Sequence, residues 1–207
     1  ALIVEFKRFS PSVNKFKRII NLQEIIRDYE KSKCSCISIL TDKNFGGSLN
    51  DIVIAKKISS KPILRKDFIV NKSQILESKI YGADAILLIA KILSKKVLNE
   101  LYVYANKIGL DVLIEIENEE EIKKIKYINP ELIGVNNRNL RKQKIDINNS
   151  INLSTKLKNK IIISESGINN TNIKKIKSNS NISSFLIGGS ILNNNKKLNF
   201  INDLYNS

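Results

Sequence analysis

Short apolar segments of this chain end abruptly in polar, charged or glycine residues, and these endings carry the residue types that do chemistry. The endings are Glu115, Asn136-Asn137-Arg138 and Glu165-Ser166-Gly167, which follow apolar residues 112–114, 132–135 and 161–163. A buried strand has no structural need for such residues at its carboxyl end, whereas an active site does. The pattern therefore indicates an enzyme whose site lies where several strands end.

Glu5 and Lys7 form the first candidate acid–base pair. One residue of a predicted strand separates them, so their side chains point to the same side. An acidic and a basic group held together can exchange protons or orient a charged substrate. The alternative for this pair alone is a buried structural ion pair. The chain has no histidine, so any proton transfer must use Lys, Asp, Glu, Tyr, Cys or water.

Lys66 and Glu115 are each embedded in an otherwise apolar predicted strand. Burial lowers the pKa of a lysine and raises that of a carboxylic acid, so we expect such groups to act as acid or base near neutral pH. The alternative is that each residue forms a salt bridge that closes one layer of the core.

Two glycine clusters, Ser166-Gly167 and Gly188-Gly189-Ser190, follow the last two predicted strands. Glycine lets backbone N–H groups approach an anion closely, and the loops after the last two strands of a barrel often bind phosphate. Isolated glycines also serve turn geometry alone. Because the two clusters follow adjacent strands, we predict a phosphate site.

The elements that position these residues alternate regularly. Predicted strands cover residues 2–6, 34–40, 62–68, 83–90, 112–116, 132–136, 161–164 and 184–187. Helical patterns lie near residues 21–33, 49–58, 72–81, 94–108, 118–127, 148–158, 170–178 and 196–205. Expected N-caps are Asn21, Ser48, Asn71, Ser94, Asn118 and Asn169, and expected C-cap glycines are Gly82 and Gly109. The pattern predicts a single domain, residues 1–207, folded as a closed (β/α)8 TIM barrel, with a doubly wound open sheet as the alternative.

The net charge of +15 does not by itself indicate a nucleic-acid-binding protein. Ile, Lys and Asn occur 37, 29 and 27 times in 207 residues, so the charge reflects a general bias toward a few residue types. The lysines are scattered or lie on helices, without interleaved aromatic residues. We therefore expect no binding to nucleic acid, although a positive potential would attract an anionic substrate.

Other protein classes are excluded by the composition. No apolar stretch approaches the roughly 20 residues that span a bilayer, and no signal peptide is visible, so we expect a cytoplasmic protein without membrane contact. Cys34 and Cys36 do not form a Cys-x-x-Cys motif, and no histidine is present to complete a zinc site. We expect no metal and no cofactor.

An ordered set of segments resembles the indole-3-glycerol phosphate synthase family. The matching segments are residues 5–12 (EFKRFSPS), 40–42, 45–48, 62–69 (PILRKDFI), 82–88, 113–115, 134–140 (GVNNRNL), 164–168 and 185–188. They span nearly the whole chain in the family's order and spacing, and the set is more specific than any single motif. The resemblance implies a barrel of the ribulose-phosphate-binding type.

The resemblance also implies a reaction in tryptophan biosynthesis. 1-(2-carboxyphenylamino)-1-deoxyribulose 5-phosphate closes its ring, loses carbon dioxide and then loses water, which gives indole-3-glycerol phosphate without a cofactor or metal. The family places Lys66 as the acid at the ketose carbonyl. Glu115 and Lys7 would serve the dehydration, with the division of acid and base roles left open, while Glu5 and Asn136 hold and polarise the site. The remaining implied residues are Ser166 in the catalytic group, Arg138 at the anthranilate carboxylate, Phe45 and Leu87 around the ring, and Ser10, Gly167, Gly188, Gly189 and Ser190 at the phosphate.

Three departures from the family pattern predict weaker substrate binding. We expect the usual N-terminal helical extension, which helps cover the substrate, to be missing. The loop that leads to Phe45 is one residue shorter than usual, and Gly189 stands where a serine is common. The expected partner is a small anionic phosphorylated substrate. We expect a monomer, with association with other tryptophan-pathway enzymes as a further possibility.

Three alternative functions remain open from the sequence alone. Another phosphate-binding barrel, such as phosphoribosylanthranilate isomerase or tryptophan synthase α, would lack the combination of Glu5, Lys7 and Lys66 and, for the isomerase, would release no carbon dioxide. A non-catalytic or degenerate barrel acting as a partner protein is suggested by the biased composition. A nucleic-acid-binding protein would show steeply salt-dependent affinity for DNA.

Overall fold

The computed structural model describes residues 1–9, 21–139 and 144–206. Eight parallel strands in these residues form a closed barrel in sequential order, and β8 pairs with β1. The strands are β1 Leu2–Phe6, β2 Cys36–Leu40, β3 Ile63–Lys66, β4 Ala85–Ile89, β5 Asp111–Ile116, β6 Leu132–Asn136, β7 Ile161–Glu165 and β8 Ser184–Ile187. The helices are α1 Leu22–Lys31, α2 Asn50–Ile58, α3 Lys72–Ile80, α4 Lys95–Lys107, α5 Glu119–Ile125, α6 Asn148–Ser154, α7 Ile173–Ser178, α8 Gly189–Leu192 and α9 Lys197–Asn206. The predicted (β/α)8 barrel is confirmed.

Alternate side chains of each strand face two different cores. One set, which includes Ile37 and Ile39, packs against the surrounding helices, and the other set fills the barrel interior. The interior cluster contains Leu64, Leu87, Ile89, Leu113, Ile163 and Leu186. Residues two positions further along a strand share the same face. The residues that follow this cluster on β3, β5 and β7 therefore project into the barrel mouth.

The helix boundaries test the capping predictions. Asn21, Asn71, Ser94 and Asn118 cap α1, α3, α4 and α5 through their side chains. The assignments of Ser48 and Asn169 were wrong, because α2 begins at Asn50 and α7 at Ile173. Ser48 instead accepts a hydrogen bond from the Asn50 N–H, and Asn169 accepts one from the Thr171 N–H. Both side chains form local turns just before the helix.

Gly82 and Gly109 follow α3 and α4 in left-handed conformation, with φ of 91° and 72°, as predicted for residues that end helices. Two short elements were not predicted: a 3₁₀ helix at Lys43–Phe45 and the four-residue helix α8. Several strands are also shorter than predicted. No helix in the described part of the chain is long and apolar enough to cross a membrane.

Candidate active site

The carboxyl ends of the strands surround a cavity of about 370 Å³. Every predicted site residue lines it except Ser10, which lies outside the described residues. The predicted residues in the lining are Glu5, Lys7, Phe45, Lys66, Leu87, Glu115, Asn136, Arg138, Ser166, Gly167, Gly188, Gly189 and Ser190. Residues far apart in sequence thus meet in one cavity, because each follows a strand of the same closed barrel.

Lys66 occupies the centre of the charged part of the cavity. Its Nζ donates hydrogen bonds to Glu115 Oε2 at 3.0 Å and to Glu165 Oε2 at 2.9 Å. The lysine side chain is 16% exposed, whereas the two carboxylates are almost completely buried. Lys66 is therefore the most exposed member of this cluster, and all three residues line the cavity.

The pKa of Lys66 does not behave as the sequence suggested. Burial lowers it, but the carboxylates of Glu115, Glu165 and Glu5 raise it more, so the net shift is upward from 10.5. The prediction that this pKa would fall toward neutrality was wrong, because the three neighbouring carboxylates raise the pKa by more than burial lowers it. Lys66 therefore stays protonated and can serve as a hydrogen-bond donor or general acid.

The pKa of Glu165 is also raised, but in a carboxylic acid this shift favours the uncharged form. Burial raises its pKa most strongly, the repulsion of Glu115 and Glu5 adds to this, and Lys66 offsets only part of it, so the pKa rises to about 7. Its Oε2 is bonded to Lys66, and its buried Oε1 accepts no hydrogen bond from the described residues. A group with this pKa can take up or release a proton near neutral pH.

Glu5 and Lys7 form the ion pair that their spacing predicted. Glu5 is buried, and burial raises its pKa, but the charges of Lys7 and Lys66 lower the pKa by a larger amount. The net shift is downward, so the carboxylate is ionised at neutral pH. The buried hydroxyl of Tyr29 donates to the Glu5 carbonyl oxygen at 3.0 Å and fixes the end of β1 against α1. Lys7 remains 18% exposed and faces the cavity.

Asn136 links two neighbouring strand ends. Its Nδ2 donates to Glu115 Oε1 at 3.0 Å, and its Oδ1 accepts from the Arg138 N–H at 2.9 Å. The Asn149 side-chain amide in turn donates to the Asn136 carbonyl oxygen at 3.0 Å. Glu115 is thus held by an amide on one oxygen and by Lys66 on the other, which leaves it little rotational freedom.

The loops after β7 and β8 also line the cavity. Ser166 and Gly167 are both left-handed, with φ of 67° and 76°. This conformation is uncommon for a serine and is often found at functional sites. Ser190 Oγ donates to the Ile168 carbonyl oxygen at 2.8 Å and joins the two loops. The hydroxyl proton of Ser190 is therefore engaged within the protein.

An apolar wall completes the cavity. Phe45, at the end of the 3₁₀ helix, stacks on Phe68 with ring centroids 6.4 Å apart and an interplanar angle of 27°. Leu87 lines the same cavity from β4. The shorter loop before Phe45 has thus not removed this ring from the cavity. In the described residues, no group of three or more Cys, Asp or Glu side chains is placed to hold a metal ion.

Comparison with known proteins decides the family. The model of the family described as indole-3-glycerol phosphate synthase matches residues 1–204. The chain belongs to this family. Its function is therefore that of an indole-3-glycerol phosphate synthase, a carboxy-lyase of tryptophan biosynthesis.

Curated relatives of the same name agree. An indole-3-glycerol phosphate synthase of Bacteroides thetaiotaomicron is 43% identical over 191 residues, which cover 90% of this chain and 72% of the relative. One from Aquifex aeolicus is 42% identical over 195 residues, covering 92% of this chain and 76% of the relative. One from Caldanaerobacter subterraneus is 41% identical over 197 residues, covering 93% and 75%.

Solved structures support the fold. A thiamine phosphate pyrophosphorylase from Pyrococcus furiosus superposes with a TM-score of 0.71 at 10% identity, covering 99% of this chain and 93% of that structure. The protein KGPDC from Streptococcus mutans gives a TM-score of 0.72 at 11% identity, with coverage of 99% and 95%. These likenesses concern the barrel and not its chemistry.

The structure adds two residues to the sequence-based site of this indole-3-glycerol phosphate synthase family member. Glu165 bonds directly to Lys66, and Phe68 stacks on Phe45. Glu165 carried a usable signal, since it is a charged residue at the end of an apolar strand like Glu115. Phe68 carried none, because an aromatic residue after a strand is equally consistent with packing.

Proposed function

We propose that Lys66 is the acid that activates the ketose carbonyl of 1-(2-carboxyphenylamino)-1-deoxyribulose 5-phosphate for ring closure. The observation that carries this proposal is the position of Lys66 Nζ, which bonds to two buried carboxylates while the lysine side chain lines the cavity. Positive charge fixed at this point stabilises the oxygen anion that develops as the ring carbon attacks the carbonyl. The carboxylates keep the lysine charged and oriented without moving in the step.

The later dehydration requires a proton to be removed and a hydroxyl group to leave. We assign these transfers to Lys7 and Glu115, which line the cavity near Lys66. Glu5 pairs with Lys7 and orients its ammonium group, and Asn136 orients Glu115 through its side-chain amide. Lys7 and Glu115 face the same cavity, so their positions do not assign the acid and the base. Kinetic measurements on variants of the two residues make this assignment.

The two ends of the substrate would be bound by different sets of residues. Arg138 would bind the anthranilate carboxylate, and Phe45 with Leu87 would hold the aromatic ring. The phosphate would lie against the loops after β7 and β8, where Ser166 also faces the cavity. The phosphate residues are Gly167, Gly188, Gly189 and Ser190, together with Ser10. An added Cβ at Gly189 would meet nothing within 4 Å, so this position leaves open space at its backbone. Ser190 would act through its N–H, since its hydroxyl bonds to Ile168.

Further properties remain predictions. We expect a monomer in the cytoplasm that binds neither nucleic acid nor membranes. Association with other tryptophan-pathway enzymes would be detected by co-sedimentation of the purified proteins. Static light scattering of the purified chain gives the oligomeric state directly.

The experiment that tests the proposed reaction is a stoichiometry measurement. Purified protein is incubated with substrate that carries a labelled carboxyl carbon, and both indole-3-glycerol phosphate and trapped carbon dioxide are quantified. We expect the two products in equal amounts. In a parallel incubation, conversion of phosphoribosylanthranilate without gas release would favour the phosphoribosylanthranilate isomerase alternative. Folded protein that forms none of these products would favour the non-catalytic barrel.

A further inference from the structure

Gly134 lies in the middle of β6, where its backbone does not require a glycine. The left-handed glycines of the described chain are Gly46, Gly82, Gly109 and Gly167, and Gly134 is not among them. It pairs in regular register with Glu115 of β5 and Ile163 of β7. Glycine inside a strand weakens it and often marks a close approach of another group. The reason for this glycine must therefore lie in what its missing side chain leaves open.

That space is filled by the carboxyl group of Glu165. A Cβ added at position 134 would lie 2.1 Å from Glu165 Oε1 and 3.2 Å from its Cδ, while the next neighbour, Leu113 Cδ1, would be in ordinary contact at 3.5 Å. The other carboxyl oxygen accepts the hydrogen bond from Lys66 at 2.9 Å. Glu165 thus lies between the lysine and the bare backbone of Gly134.

We propose that Gly134 is a positioning residue for the reaction, because its missing side chain determines where the Glu165 carboxylate lies and thereby where the Lys66 ammonium is held. This inference rests on the proposed role of Lys66 as the acid. With alanine at this position, Oε1 would have to move from 2.1 Å to beyond 3.4 Å to reach ordinary contact, a shift of about 1.3 Å. A displacement of about 1 Å in a catalytic group can reduce turnover about 100-fold.

A second pair of residues repeats the arrangement. A Cβ added at Gly188 would lie 2.6 Å from Oε1 of Glu5, the buried carboxylate that pairs with Lys7. The φ of Gly188 is −128°, outside the left-handed region. Two buried carboxylates of the site thus lie over glycines, and each pairs with a lysine that faces the cavity.

The test is a double-mutant cycle on Gly134→Ala and Glu165→Ala. We expect Gly134→Ala alone to lower kcat about 100-fold while KM changes less than about threefold, since the substrate-binding loops are not touched. In the Glu165→Ala background the carboxylate is gone, so adding Gly134→Ala should change kcat less than about twofold. The proposal would be overturned if Gly134→Ala lowered kcat equally with and without Glu165, or if it did not lower kcat when Glu165 is present.

Thermal unfolding of the same four proteins covers the case in which Gly134→Ala fails to fold. If the contact with Glu165 is the cause, the double variant should fold and recover the melting temperature of Glu165→Ala. Failure of both Gly134→Ala proteins to fold would show that the strand itself needs glycine, and would overturn the proposal. If the native chain shows no activity, the proposed role of Lys66 is contradicted. The melting temperatures of the four proteins still test whether a side chain at position 134 collides with Glu165.

Discussion

Replacing Glu165 with glutamine should remove a pH-dependent destabilisation of the native protein. The pKa of Glu165 is raised from 4.5 to about 7 in the fold, chiefly by burial. A group whose pKa is raised on folding contributes stability below its unfolded pKa and loses this contribution as the pH rises through its folded pKa. The native protein should therefore lose stability relative to Glu165→Gln between pH 4 and pH 8.

The magnitude follows from the two pKa values. A difference of 2.5 between about 7 and 4.5 corresponds to roughly 3 kcal/mol at about 1.4 kcal/mol for each pH unit. Urea unfolding at pH 4, 5, 6, 7 and 8 gives the free energy of unfolding of both proteins. The difference between them should change by roughly 3 kcal/mol over this range, with most of the change between pH 4.5 and pH 7. Parallel curves for the two proteins would refute the inference that Glu165 titrates near neutral pH.

Three further substitutions test the rest of the site. Arg138→Ala should raise the substrate dissociation constant about 10- to 100-fold, as expected for a lost charge-assisted hydrogen bond. Replacement of the exposed Arg27 by alanine serves as the control. A dissociation constant that calorimetry finds unchanged in Arg138→Ala would argue against carboxylate recognition. Phe68→Ala should raise KM severalfold with little change in kcat, because Phe45 loses the ring stacked on it; steady-state kinetics in which only kcat falls would contradict this. Tyr29→Phe should cost about 1 kcal/mol of stability by leaving the Glu5 carbonyl unpaired, and a melting temperature equal to that of the native protein would exclude this contribution.

The barrel and most of its site were predictable because they depend on local patterns. The alternation of side chains along a strand placed Glu5 beside Lys7, and the endings of apolar strands identified Lys66 and Glu115. A closed barrel then brings every strand end to one cavity, so no distance information was needed to group these residues.

Other features depend on contacts between distant parts of the chain. Lys66 and Glu165 are 99 positions apart, and only the closed barrel shows that Lys66 has acidic neighbours that raise its pKa. The same holds for Gly134, whose role is visible only from the carboxylate lying over its backbone. Short elements such as α8 are stabilised by their surroundings and carry little sequence signal of their own.

The most direct test of the account compares the native protein with Lys66→Ala in the conversion of 1-(2-carboxyphenylamino)-1-deoxyribulose 5-phosphate, followed by indole fluorescence. Removal of a general acid lowers turnover about 10²- to 10⁴-fold. We predict steady product formation by the native chain and a loss of this size in the variant, with circular dichroism confirming that the variant is folded. Turnover by folded Lys66→Ala within a few-fold of the native rate would contradict the central role of this lysine.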